Sequence, residues 1–230
     1  MADDRKDDIA FAKEALASLG AGRVLLPALL LALFQSASCV AALATLPIAE
    51  HPDHSRSVAA LLLLLLGLTA CSVALLRILN FSPRPPWQPD ASLWLFGLAI
   101  IASLFIGIAA DLVVGGRDDL LAGLASGALS VIVNAPFAPW FTAIAVERPL
   151  ALRPGDHMRH FAAWLPALLL WNLLIVVPLG QLFALLGRTL LAGAGGWFWP
   201  TVLLYGLLGA AIELVSCALA SVAYRRVARS

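Results

Sequence analysis

A chain of 230 residues with 61% apolar residues, only 13% charged residues and a mean hydropathy of +0.92 lies far from soluble domains, in which about a quarter of residues are charged. That balance excludes a separate soluble catalytic domain and a basic nucleic-acid-binding module. The formal net charge of +1 carries little as a total, because in a membrane protein it is the distribution of positive residues among loops that orients the chain.

Residues 1–23, "MADDRKDDIAFAKEALASLGAGR", place Ile9, Ala12, Leu16 and Leu19 on one helical face, with Gly20 as a stop signal. They predict a short amphipathic helix on the membrane surface, its aspartates gathered where they favour the positive end of the helix dipole. The first apolar run, Val24 to Leu46, contains "ALA" at 42–44. It is longer than a secretory core of about 7–15 residues and follows an acidic segment, so it is read as a retained span.

Six spans follow, at 24–46, 58–80, 92–114, 120–146, 162–186 and 198–222, each near the roughly 20 residues that cross a bilayer. The connections are short: "IAEHPDHSRS", the proline-rich "NFSPRPPWQPD", "GGRDD", "ERPLALRPGDHMRH" and "GRTLLAGAGGW". The expected fold is therefore all-α, an integral membrane bundle of six transmembrane helices behind a short interfacial helix. It divides into a cytoplasmic amphipathic segment (1–23), a six-span domain (24–224) and a short basic tail (225–230).

Twelve of the fifteen Lys and Arg fall in the N-terminal segment, the second and fourth connections and the tail; only Arg56, Arg117 and Arg188 lie on the other side. By the positive-inside rule both termini are expected in the cytoplasm, in agreement with an even number of spans, which puts both ends on one side. Trp87, Trp94, Trp140 and Trp164 are expected near the inner interface and Trp197 and Trp199 near the outer one, with Trp171 alone at mid-depth. "LPALLL" occurs at 26–31 and 165–170, each time at the start of an outward-running span, and either an internal repeat or a leucine-rich coincidence accounts for it.

Chemistry is expected at mid-depth. Glu213, inside "LLGAAIELVSCALA", lies near the bilayer centre, and Gln35, Asn134 and Asn172 fall at similar depth. Gly123, Ser126, Gly127, Ser130 and Asn134 form one small, polar stripe of the fourth span; Gly206, Gly209, Glu213, Ser216, Cys217 and Ala220 form another on the sixth. After Asn134, Pro136 and Pro139 each remove a backbone donor and predict a helix break, a feature tolerated in membranes where protein or water satisfies the freed carbonyls. The candidate intramembrane polar site is thus Glu213, Asn134, Asn172, Gln35 and Ser130. Amides and small residues also join helices without any cargo, through hydrogen bonds worth on the order of 1 kcal/mol each. A carboxylic acid at that depth is functional by default unless it only packs, and no basic residue shares its depth, so it is expected to be protonated or held by Asn or Ser.

Other constellations are weaker. Cys39, Cys71 and Cys217 sit in apolar runs without metal or disulfide spacing and read as small apolar residues. His51, Asp53 and His54, and likewise Asp156, His157 and His160, read as polar loop residues, with no zinc-enzyme spacing. Asp111 and "RDD" at 117–119 mark a solvated rim. No metal, cofactor or nucleic-acid partner is expected, and neither a phosphate-binding loop nor a nucleophile elbow is present to suggest an enzyme.

The stretch "APFAPWFTAIAVERPLALRPGDHMRHFAAWLPALLL", its proline-interrupted span, its "VERP" turn and the tail "ALASVAYRRVARS" resemble a family of six-span bacterial proteins similar to the membrane domain of some glycerophosphoryl diester phosphodiesterases. The likeness covers the C-terminal half, with "GDHMRH" replacing the family's serine and tryptophan before the fifth span. It implies the six-span architecture and a bacterial inner membrane; the family's phosphodiesterase chemistry belongs to a soluble domain. The leading expectation is a non-enzymatic inner-membrane protein in envelope maintenance or as accessory to a transport or lipid-handling system, touching membrane lipids and a membrane-protein partner or second copy. The alternative is a small proton-coupled transporter or flippase using Glu213. A lipid-acting enzyme built on Asp156, His157 and His160 is the third reading.

Overall fold

A computed structural model describes residues 2–20, 22–45, 54–114, 120–147, 163–193 and 195–228. His51, Asp53, the His54 side chain, the "RDD" at 117–119 and Asp156, His157 and His160 lie outside the described residues. Those described form helices α1 (Ala2–Leu19), α2 (Leu25–Thr45), α3 (His54–Leu79), α4 (Ala91–Val114), α5 (Leu120–Asn134), α6 (Ala138–Val146), α7 (Leu165–Trp171), α8 (Val177–Leu191) and α9 (Phe198–Ala228), with no strand among them. Six stretches are long and apolar enough to cross a membrane: Gly22–Ala41, Leu62–Leu79, Ala91–Val114, Leu120–Val146, Leu165–Leu191 and Gly195–Arg226. The fold is an all-α membrane bundle.

The second and sixth spans, α3 and α9, are the most enclosed, and α2 pairs with both. Side chains such as Phe105, Leu112 and Leu121 on the peripheral helices are exposed, as expected where the surrounding solvent is hydrocarbon rather than water. Close helix approach is made by glycine. At Gly206 of α9 an added Cβ would overlap the Ser36 hydroxyl and meet the Ala32 carbonyl of α2 at 2.5 Å, and the Ser36 hydroxyl donates to the Val202 carbonyl at 3.2 Å. Gly123 of α5 lies against Gln181 of α8, whose Nε2 donates to the Gly123 carbonyl at 2.8 Å.

Two proline sites interrupt the helices. Pro139 has no N–H for the Ala135 carbonyl, and the chain tightens into a 3-10 turn over Ala135–Phe137 in which the Ala138 N–H takes that carbonyl instead. In the fifth span the ring of Pro178 crowds the carbonyl four residues back, and Asn172–Val176 widens into a π-helical turn before α8 resumes. This second interruption has the same cause as the first, but only Pro136 and Pro139 were expected to break a helix.

The N-terminal helix differs in detail from its expected face. Phe11, Ala12 and Ala15 are buried against the bundle, whereas Ile9 and Leu16 are exposed. The inward face is set by aromatic contact: Phe11 stacks on Trp164 with centroids 6.5 Å apart, and the Arg226 guanidinium lies 4.5 Å from the Trp164 ring centre. Arg225 and Arg226, expected in a separate tail, belong instead to α9 and both pair with Glu14 at 3.2 Å. The N-terminal helix and the end of α9 therefore share one end of the bundle. Trp171, expected alone at mid-depth, is tied to that same helix: its indole N–H donates to the Asp8 carbonyl at 3.0 Å.

A buried arginine organises the proline-rich connection. Arg77 is 1% exposed, and its guanidinium donates to the carbonyls of Ala145 (3.0 Å), Pro85 (3.1 Å) and Gln88 (2.9 Å), to the Ser92 hydroxyl (2.8 Å) and to Asp90 (2.6 Å). Only a planar group with five donors can serve so many acceptors at once. Read from sequence as one positive charge among twelve, Arg77 is the pin that fastens α3, the 80–90 turn and the end of α6.

Candidate functional site

Glu213 falls at the midpoint of the 31-residue α9, about 22 Å from either end at 1.5 Å per residue. Gln35 is likewise the middle residue of α2. Asn134 closes α5 immediately before the 3-10 turn, and Asn172 opens the π-helical turn. Both amides therefore sit at points where helix geometry changes, and these changes direct the neighbouring walls.

Between these helices lies a cavity of about 720 Å³, and Gln35, Ser130, Asn134, Asn172 and Glu213 all line it. The five residues come from four different spans. Such convergence separates a chamber from a set of isolated helix contacts. Ser103 and Ser216 add two hydroxyls, while Phe96, Phe141 and Phe183 supply aromatic walls.

The carboxyl of Glu213 is held from one side. Ser72 of α3 donates its hydroxyl to Oε1, and the Cys217 thiol, one turn along α9, approaches the same oxygen at 3.6 Å. Both hydrogen bonds of this carboxyl among the described residues are thus made at Oε1. Ser72 was not a predicted site residue; its only signal is the polar interruption "TACS" in an otherwise leucine-rich span. Cys217, read as a small apolar residue, is in addition a ligand of the acid.

The amides are anchored through their nitrogens. Asn134 donates from Nδ2 to the Ser130 carbonyl at 3.0 Å and to the Ser130 hydroxyl at 3.3 Å, and Asn172 donates from Nδ2 to the Leu168 carbonyl at 2.8 Å. A carbonyl accepts only from N–H or O–H, so this leaves each Oδ1 as the acceptor available to the chamber. Gln35 is 8% exposed and its side chain makes no hydrogen bond among the described residues. On α9, an added Cβ at Gly209 would lie 3.0 Å from Phe183 and 3.1 Å from the Gln35 amide carbon. The missing side chain lets both groups close in, one turn before Glu213.

Chemically, the chamber offers one carboxyl, amide oxygens and hydroxyls within apolar and aromatic walls. Among the described residues no Lys, Arg or His lines it, and no three His, Cys, Asp or Glu side chains come together as a metal site would require. Asp111, expected on a solvated rim, is exposed and accepts from Ser126, outside the chamber. Compared with known proteins, the chain matches no family model, no curated protein and no solved structure.

Proposed function

We propose that the protein carries a small amphiphilic solute through the membrane, using Glu213 as a proton-exchanging anchor inside its mid-membrane chamber. The observation that supports this is the convergence of five polar residues from four spans on one cavity of about 720 Å³, within the range of about 300–1,000 Å³ typical of small-molecule sites. Residues serving only to join helices would fill the interface between them. Interrupted helices beside the cavity agree with this reading, since transporters place such backbone at midplane binding sites. Glu213 is the one acid among the described residues that lines the cavity, and a carboxyl inside the membrane is a group suited to take up and release a proton.

A second reading, a non-enzymatic accessory of envelope maintenance or lipid handling, draws support from the tight glycine and serine contacts between α2 and α9, which suit a rigid scaffold. The resemblance of residues 135–170 to the membrane domain of glycerophosphoryl diester phosphodiesterases agrees with either. The bias of Lys and Arg supports a bacterial inner membrane with both termini in the cytoplasm.

The deciding experiment traps a pH-sensitive dye in proteoliposomes and adds, one class at a time, a small aromatic amine, alcohol and carboxylate. Carrier function predicts proton movement evoked by at least one class in the wild type and lost in Glu213→Gln. Silence toward all three classes, or an unchanged response in Glu213→Gln, supports the scaffold reading instead.

A further inference from the structure

We infer that the chamber selects amphiphilic organic amines, seating a protonated nitrogen at Glu213 and an apolar body among Phe96, Ile100, Phe141 and Ile212; this rests on the chamber being a ligand site, as proposed above.

Charge is the first argument. Among the described residues Glu213 is the sole ionisable side chain lining the cavity. An anionic ligand would meet a carboxyl and no cationic partner, at a depth where an uncompensated charge is costly. A cation reverses that balance, because ligand and carboxylate neutralise each other out of water.

The hydrogen-bond inventory is the second. Asn134 makes both of its Nδ2 hydrogen bonds within its own helix, Asn172 makes one within its own span, and the Ser72 hydroxyl is turned to Oε1 of Glu213. What remains for a ligand includes four acceptors that make no hydrogen bond among the described residues: the second carboxyl oxygen, two Oδ1 atoms and the Gln35 Oε1. Buried acceptors are stabilised by donors. An ammonium group brings up to three, a hydroxyl brings one and a quaternary ammonium brings none.

The third argument is local geometry. At Gly209 the Gln35 amide and the Phe183 ring converge, one turn from Glu213, and Phe183 is fixed by stacking on Tyr205 with centroids 4.0 Å apart. Carboxylate, amide and aromatic ring thus border one corner, and an aromatic face attracts a cation by about 0.5–2 kcal/mol. A bare inorganic cation would use the oxygens but leave the apolar walls and most of the 720 Å³ unfilled.

Equilibrium binding of radiolabelled 2-phenylethylamine to the full chain in lipid nanodiscs tests this, with unlabelled 2-phenylethylamine, its N-trimethyl analogue, 2-phenylethanol, 3-phenylpropanoate and sodium chloride as competitors. We expect saturable binding, competition by the trimethyl analogue and the alcohol weaker by about tenfold or more, none by the carboxylate or sodium, and a loss of about tenfold or more in Glu213→Gln. Absence of saturable binding to the wild type, or equal competition by the quaternary or alcohol analogue, overturns the inference; so does unchanged binding in a folded Glu213→Gln. The competitor series uses wild-type protein, so it decides the matter even where the variant does not fold. Proton movement evoked by the alcohol or carboxylate but not the amine sinks the ligand class and leaves the carrier reading standing. Saturable amine binding without any solute-evoked proton movement does the reverse.

Discussion

The hydroxyl of Ser72 on the second span donates to Oε1 of Glu213 on the sixth, joining residues 141 apart in the chain. The bond orients the acid and leaves its other oxygen without a hydrogen bond among the described residues. Replacing Ser72 by Ala leaves Oε1 with only the Cys217 thiol, a weak donor, at a cost of about 1–3 kcal/mol. Thermal unfolding in detergent should therefore show Ser72→Ala clearly destabilised and Glu213→Gln, whose amide oxygen still accepts from Ser72, close to wild type.

Arg77 should be the least replaceable side chain on the terminal side of the bundle. Its removal leaves the carbonyls of Pro85, Gln88 and Ala145 without their side-chain donor and Asp90 with only Arg84 and Ser92, and breaking a buried charge network of this kind costs about 3–5 kcal/mol. Arg77→Met should give a large loss of folded yield. Arg77→Lys should recover only part of it, since one ammonium cannot reach acceptors arranged around a planar fork.

The partner of that arginine gives a pH dependence. Burial raises the Asp90 carboxyl, but hydrogen bonds from Ser92 and the guanidinium groups of Arg77 and Arg84 outweigh it and hold Asp90 below the usual carboxylate range. A group lowered on folding stabilises the fold above its unfolded value, near pH 4, and that contribution is lost as pH falls through the folded value. Melting temperature should drop on acidification below about pH 4, and Asp90→Asn should melt lower at pH 7 with a shallower acid slope.

The glycines make a paired test of helix packing. Gly206→Ala places a methyl group on the Ser36 hydroxyl and the Ala32 carbonyl, and such overpacking costs about 1–3 kcal/mol. Gly180→Ala meets nothing within 4 Å and should be neutral or slightly stabilising, by up to about 1 kcal/mol. Equal melting temperatures for the two variants would contradict the proposed α2–α9 contact.

Much of the architecture was legible because apolar run length and helix spacing are local properties. The run around Glu213 announces a span and its acid in one stretch of chain. Asn134 with Pro136 and Pro139 likewise marks a change of helix geometry. What the sequence withheld were partnerships across the fold. Ser72 is one serine in a leucine-rich helix, and nothing near it names Glu213. Arg77 reads as an ordinary boundary charge because its acceptors are mostly backbone carbonyls, which every residue carries. The face of the N-terminal helix was misjudged because periodicity ranks Ile9 and Leu16 with Ala12, whereas Phe11 finds Trp164, a contact that spacing within α1 cannot reveal.

The central claim, that Glu213 belongs to a chamber rather than to a lipid-facing or fully packed helix surface, is tested most directly by thiol labelling from the aqueous phase. In a chain with Cys39, Cys71 and Cys217 replaced by alanine, Ser130→Cys and Ser216→Cys line the chamber, while Leu207→Cys lies on an exposed face of the sixth span. A small cationic methanethiosulfonate should modify the cysteines at 130 and 216 and spare the one at 207. Labelling at 207 alone, or at none of the three, would contradict the chamber.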